Sequence, residues 1–92
     1  MDTITIVVPC FNEQETLPYF YEEYLNLTRL MNYVRLELLF IDDGSTDDTL
    51  TLIKEYAKQD SSVKYISFSR NFGKEAAIYA GLQHASGDYV VI

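Results

Sequence analysis

The chain has 92 residues, 48% of them apolar and 23% charged, the balance of a folded domain rather than a disordered one. Seven Lys and Arg against fourteen Asp and Glu give a net charge of −7, which argues against generic nucleic-acid binding, because that needs a positive surface to displace counterions from phosphates. One cysteine, Cys10, cannot form an internal disulfide, and with a single histidine it excludes a zinc centre; no long apolar run offers a membrane span.

Ile4-Thr5-Ile6-Val7-Val8 reads as a first strand, stopped by Pro9, which cannot donate to a central ladder. Leu17, Phe20, Tyr24, Leu27 and Met31 then recur at the three- and four-residue steps of a helix face. Thr16 is the candidate cap, and Pro18 is tolerated in the first turn, where a missing N–H costs nothing. Residues 35–41 form a second strand, apolar on both faces through Leu36, Leu38, Leu39, Phe40 and Ile41, and so covered on both sides. Asp42-Asp43-Gly44-Ser45 breaks it. Ser45, with Asp48 three residues on, resembles a capping box ahead of a helix whose inner stripe is Leu50, Ile53, Tyr56 and Ala57.

Val63 to Phe68 reads as a third strand. A third helix runs from about Lys74 to Ser86, with Ala77, Ala80, Gly81 and His84 on its small face and Gly87 as its C-terminal cap. Tyr89 to Ile92 begins a fourth strand. The order βαβαβαβ predicts an α/β fold: a parallel sheet with right-handed crossovers and helices on both faces. Because the chain stops inside an apolar strand, it reads as a truncated piece whose free strand edge favours self-association.

In open parallel sheets, ligands bind beyond the carboxyl ends of the strands, near the point where strand order reverses. Three polar clusters fall there: Pro9-Cys10-Phe11-Asn12-Glu13, Asp42-Asp43-Gly44-Ser45 and Arg70-Asn71-Phe72-Gly73-Lys74. The aspartates either face a ligand or serve a turn and the next helix cap. Arg70 and Lys74, with the exposed N–H groups of a helix N-terminus, suit a diphosphate; otherwise they are solvated cations near acidic neighbours. Phe11 either stacks on a base or packs in the core, Asn12 can bond backbone, and Glu13 can accept from a hydroxyl or cap. Cys10 is expected to be a small buried residue and His84 a satisfied structural one. No Gly-x-Gly-x-x-Gly follows the first strand and no Walker A sequence exists, which disfavours a dinucleotide dehydrogenase and excludes a P-loop enzyme.

The runs Val7-Val8-Pro9-Cys10-Phe11-Asn12-Glu13 and Phe40-Ile41-Asp42-Asp43-Gly44-Ser45-Thr46-Asp47 resemble family 2 glycosyltransferases. Ser69-Arg70-Asn71-Phe72-Gly73-Lys74-Glu75-Ala76-Ala77 narrows the resemblance to polyprenyl-phosphate sugar transferases, the bactoprenol glucosyltransferases and dolichyl-phosphate mannose synthase relatives. It implies a three-layer, Rossmann-like sheet forming the nucleotide-binding half of a GT-A fold, with residues 1–92 as a single partial domain. It also implies that Pro9, Phe11, Asn12 and Glu13 line the nucleoside pocket, that Asp43 reaches the base with Asp42 beside it, and that Lys74 and Arg70 lie near the diphosphate. The implied donor is a UDP- or GDP-sugar and the acceptor a lipid phosphate. Mg2+ or Mn2+ would be held by an Asp-x-Asp motif expected beyond Ile92, so catalytic and metal-binding residues are expected outside this chain. The resemblance places the parent at the cytoplasmic face of a membrane and predicts that the 92 residues alone are inactive and soluble. A receiver-like regulatory or interaction module is the alternative from another class. It wants its acidic pair after the first strand, where Pro9-Cys10 stands. A sugar nucleotidyltransferase would want a Gly-rich, Arg-bearing loop at the same place.

Overall fold

The computed structural model describes residues 1–92. In chain order the elements are β1 (Thr3–Cys10), α1 (Leu17–Leu30), β2 (Arg35–Asp42), α2 (Thr49–Gln59), β3 (Val63–Ser67), α3 (Lys74–His84) and β4 (Tyr89–Val91). All strand pairs are parallel, in the order β3-β2-β1-β4. The chain steps outward from β1 through β2 to β3, then crosses back to the far side of β1, so β1 and β4 flank the point where strand order reverses. Strand handedness puts crossovers in opposite directions on opposite faces. Accordingly α1 and α2 share one face and α3 lies alone on the other.

β2 is the centre of the core because its residues alternate between two buried layers. Leu36, Leu38 and Phe40 pack with Leu17, Tyr24, Ile53 and Val63 on the α1/α2 face. Leu39 and Ile41 pack with Val7 and Ala77 on the α3 face. The α3 contact is tight because Gly81 presents no side chain: a Cβ there would stand 2.2 Å from Val7 Cγ1. On the other face, Tyr24 donates to the Leu36 carbonyl at 3.1 Å and pairs with Ser62 Oγ at 2.8 Å, while Tyr21 stacks on Tyr56 and bonds Asp60.

Several local expectations are corrected. β1 does not stop at Pro9 but continues to Cys10 in register with Asp42. Even-numbered residues of β1 face β2, as in the Asp43 N–H to Cys10 carbonyl bond, and odd-numbered ones face β4, as in the Asp88 N–H to Thr3 carbonyl bond. Pro9 therefore turns its missing N–H toward β4, whose pairing has already ended at Ile6↔Val91, and no ladder bond is lost. α1 buries Leu17 and Tyr24 and turns Phe20 and Leu27 partly outward. No Ser45–Asp48 capping box forms; Asp47 Oδ1 accepts the Thr49 N–H instead. α3 ends at His84, which is exposed. Gly87 is not its cap: its N–H donates to Thr5 Oγ1, and a Cβ there would collide with that side chain at 2.6 Å. Gly87 is thus required by close approach to β1 and not by helix termination.

Candidate functional site

The three loops after β1, β2 and β3 meet at one end of the sheet because each is hydrogen-bonded to the next. Asn12 takes a left-handed backbone (φ 52°), which Asn tolerates better than most side chains. Its Oδ1 accepts the Thr46 N–H at 2.8 Å and the Asp47 N–H at 3.3 Å, while its own N–H donates to Ser45 Oγ. The Glu13 N–H donates to Thr49 Oγ1 at 2.8 Å, and Gln14 Oε1 accepts the Asp48 N–H at 2.8 Å. The Thr46, Asp47 and Asp48 amides ahead of α2 are therefore satisfied by side chains of the first loop, and the Thr49 amide by Asp47.

The second loop holds the third in the same way. Asp43 Oδ1 accepts the Phe72 N–H at 2.8 Å and Oδ2 the Gly73 N–H at 3.1 Å. Gly44, at φ 71°, lets the two loops touch: a Cβ would lie 2.2 Å from the Arg70 carbonyl carbon and 2.4 Å from the Asn71 nitrogen. Gly73, at φ 102°, turns the chain into α3. The Phe72 and Gly73 amides just ahead of α3 are thus taken by Asp43, while the Lys74, Glu75 and Ala76 amides of its first turn stay outside that clamp.

Between the first and third loops lies a hollow of about 420 Å³, lined by Pro9, Cys10, Phe11, Glu13, Asp43, Lys74 and Ile92. It sits beyond the ends of β1 and β4, at the reversal point of the sheet. Phe11 is 44% exposed and so is not core. Lys74 is exposed and makes no ion pair; the single ion pair in the chain joins Lys64 to Glu37 at 3.7 Å. Five of the eight candidate residues, Pro9, Phe11, Glu13, Asp43 and Lys74, thus surround one space.

The other three stand apart from it. Asn12 lines a polar recess with Glu13, Gln14, Glu15, Thr16 and Asp47. Asp42 and Arg70 line a neighbouring hollow of about 370 Å³, which shares Phe11 with the first. Arg70 lies over the Phe72 ring at 4.7 Å, a cation–π contact. Asp42 is 1% exposed, and its Oδ1 has no hydrogen-bond partner.

Sequence reasoning passed over Cys10 and Ile92 as lining residues. The sign for Cys10 was its position directly after Pro9 at a strand end. Burial, then the charges of Glu13 and Asp42, push the Cys10 thiol up to about 12, so it lines the hollow as a neutral group and not as a nucleophile. No three Cys, His, Asp or Glu side chains converge to hold a metal ion. Of the carboxylates at the hollow, Asp43 already accepts two amides, so these residues do not fit a metal centre by themselves. No helix is long and apolar enough to cross a membrane.

An open parallel sheet with its crevice at the reversal point and helices on both faces is the α/β architecture of the GT-A glycosyltransferases. The chain belongs to glycosyl transferase family 2, whose family model matches residues 5–92. It is 49% identical over 88 residues to a bactoprenol glucosyl transferase of Shigella phage SfV, covering 96% of this chain and 28% of that protein. It is 34% identical over 92 residues to an undecaprenyl-phosphate 4-deoxy-4-formamido-L-arabinose transferase of Proteus mirabilis, covering 99% of this chain and 28% of that one. Among solved structures, the mannosyltransferase PcManGT from Pyrobaculum calidifontis, in complex with GDP-Man and Mn2+, matches with a TM-score of 0.71 and 28% identity, covering 95% of this chain and 25% of that one. The chain therefore spans little more than a quarter of the length of these relatives.

Proposed function

We propose that residues 1–92 form the nucleotide-sugar-binding part of a glycosyltransferase that moves a sugar from a UDP- or GDP-sugar to a polyprenyl phosphate. The observation that carries this is the single hollow at the sheet's reversal point, where an aromatic ring, two carboxylates and an unpaired lysine converge in a family 2 chain. Phe11 offers its exposed face for base stacking, with Pro9 as a wall. Glu13 accepts from a ribose hydroxyl, and the outward lone pairs of Asp43 accept from the base edge. Lys74 supplies positive charge to the diphosphate, with Arg70 in the adjoining hollow as a second cation. Asn12 ties the first loop to the second, and Asp42 lies buried beside Asp43.

In the transfer itself, an oxygen of the acceptor phosphate forms a bond to the anomeric carbon as the bond from that carbon to the diphosphate breaks. The nucleoside diphosphate then leaves with the electron pair. Within this chain the contribution is to bind and orient the donor and to offset the charge that develops on the leaving diphosphate. We assign acceptor recognition, catalytic base and membrane contact at the cytoplasmic face to the remainder of a longer parent. A divalent cation belongs to the same proposal, supported by the Mn2+ of the Pyrobaculum relative's complex.

Calorimetric titration of the 92-residue chain with UDP and GDP tests the binding claim. Saturable binding of one of them is expected, weakened ~10–100-fold by Lys74→Ala, the worth of a charge-assisted hydrogen bond. No saturation by either nucleotide at millimolar concentration overturns it. Transfer is expected from the full-length parent and not from the 92 residues alone. The exposed apolar β4 edge supports a further proposal, self-association of this chain through Tyr89–Ile92, which a concentration-independent monomer on size-exclusion chromatography would refute.

A further inference from the structure

Residues 69–74 are held by few contacts: Phe72 meets Phe68 edge-on at 5.7 Å between ring centroids and lies under Arg70. Arg70, Asn71, Phe72 and Lys74 are exposed, and α3 begins without a side-chain cap of its own. The side-chain hydrogen bonds that fix this segment are the two from the Phe72 and Gly73 amides to the Asp43 carboxylate. Asp43 is itself rigid: it is buried, follows the last residue of β2, and its N–H is bonded to the Cys10 carbonyl of the central strand. Gly44 then seats the same turn against the backbone of Arg70 and Asn71. Lys74, the first residue of α3, lies directly beyond the two clamped amides, and its side chain lines the hollow.

From this geometry we infer that Asp43 is a positioning residue: its carboxylate clamps the Phe72–Gly73 amides and thereby holds Lys74 over the hollow. Each carboxylate oxygen has two lone pairs, so the clamp leaves acceptor capacity facing the ligand. The inference rests on the nucleotide-site reading above and adds a separable element to it. A base contact by Asp43 would act on nucleoside and nucleoside diphosphate alike, whereas a clamp acts through Lys74 on the phosphate part alone.

The test compares the affinities of uridine with UDP, and of guanosine with GDP, in the wild-type chain, Asp43→Asn, Lys74→Ala and the double variant. The quantity read is the ratio of nucleoside diphosphate to nucleoside affinity. Asp43→Asn is expected to lower that ratio ~10-fold, because an amide offers one acceptor oxygen where the carboxylate offered two. In the Lys74→Ala background it is expected to lower it no further. Amide hydrogen exchange at Phe72 and Gly73 in the ligand-free chain is expected to quicken at least ~10-fold in Asp43→Asn and to stay unchanged in Lys74→Ala. Should Asp43→Asn fail to fold, Asp43→Glu keeps the charge but displaces the carboxylate by one methylene, and the same fall in ratio is expected. An unchanged ratio in a folded variant, or independent losses in the double variant, overturns the inference. If the wild-type chain binds no nucleotide, the functional reading fails and this role with it, while the exchange rates still report separately whether the clamp exists.

Discussion

Adding one methyl group at Gly81 distinguishes the packing described here from ordinary helix behaviour. In an unobstructed helix interior, Gly→Ala stabilises by about 0.8–1.0 kcal/mol. In this chain the added Cβ meets Val7 Cγ1 at 2.2 Å, and Val7 is fully enclosed by Leu39, Ile41 and Ala77. Overpacking of that kind costs about 1–3 kcal/mol, so Gly81→Ala is expected to destabilise by about 0–2 kcal/mol net. Val7→Ala alone is expected to cost about 2 kcal/mol, from two buried carbons at about 0.8 kcal/mol each plus a cavity term. In the Val7→Ala background both methyl groups are gone and only the Cβ of residue 7 remains, at 3.3 Å, so Gly81→Ala is expected to stabilise by up to about 1 kcal/mol. The coupling is then about 1–3 kcal/mol, a large share of the roughly 5–14 kcal/mol total stability of a chain this size. Urea unfolding of all four proteins measures it through the midpoint at constant slope. Additivity within about 0.5 kcal/mol, or a full helix-propensity gain from Gly81→Ala in the wild-type background, would refute the reasoning.

Gly44→Ala is expected to cost about 2–5 kcal/mol in the same assay, combining about 1–2 kcal/mol for a left-handed backbone with about 1–3 kcal/mol for displacing the Arg70–Asn71 backbone. Tyr24→Phe, which removes the hydroxyl bonded to the Leu36 carbonyl and Ser62, is expected to cost about 1–2 kcal/mol. Alkaline stability follows from groups held protonated in the fold. Burial first, then acidic neighbours, raises Cys10 to about 12, and burial followed by the Asp60 charge raises Tyr21 to about 12. Tyr24 and Tyr56 are raised by burial as well. The unfolded chain loses these protons first, so the stabilisation is complete below about pH 9 and falls as the pH rises toward 12. The urea midpoint should decline above pH 9 in the wild type and only above pH 10 in Cys10→Ser; midpoints flat to pH 11 would contradict it.

The architecture was legible because β2 advertises its place: apolar residues on both alternating faces are what a strand between two helix layers requires. The three loop clusters were legible for a related reason, since each follows an apolar run and a parallel sheet sends all such loops to one end. What could not be read depended on contacts distant in sequence. Pro9 was misjudged because its effect depends on which neighbour its nitrogen faces, and that is set by pairing with β4, about 80 residues away. Gly87 looked like a helix cap, yet its constraint comes from Thr5. Asp43 offered no sign that its carboxylate would close on amides 29 and 30 residues later, just ahead of α3.

Because the bonds at the crevice run from loop to loop, these segments are not independent parts. Asp43 and Gly44 meet only the main chain of residues 70–73, which any non-proline segment of the same conformation supplies, whereas replacing 10–14 would strip the amides before α2 of the Asn12 and Gln14 side-chain acceptors. Chimeras that replace 10–14 with a segment lacking these acceptors should lose order at the crevice, whereas those that exchange 69–74 alone should keep it. Freedom to change at this end of the molecule is accordingly least at Asn12, Gln14 and Asp43, whose side chains each reach the main chain of another loop.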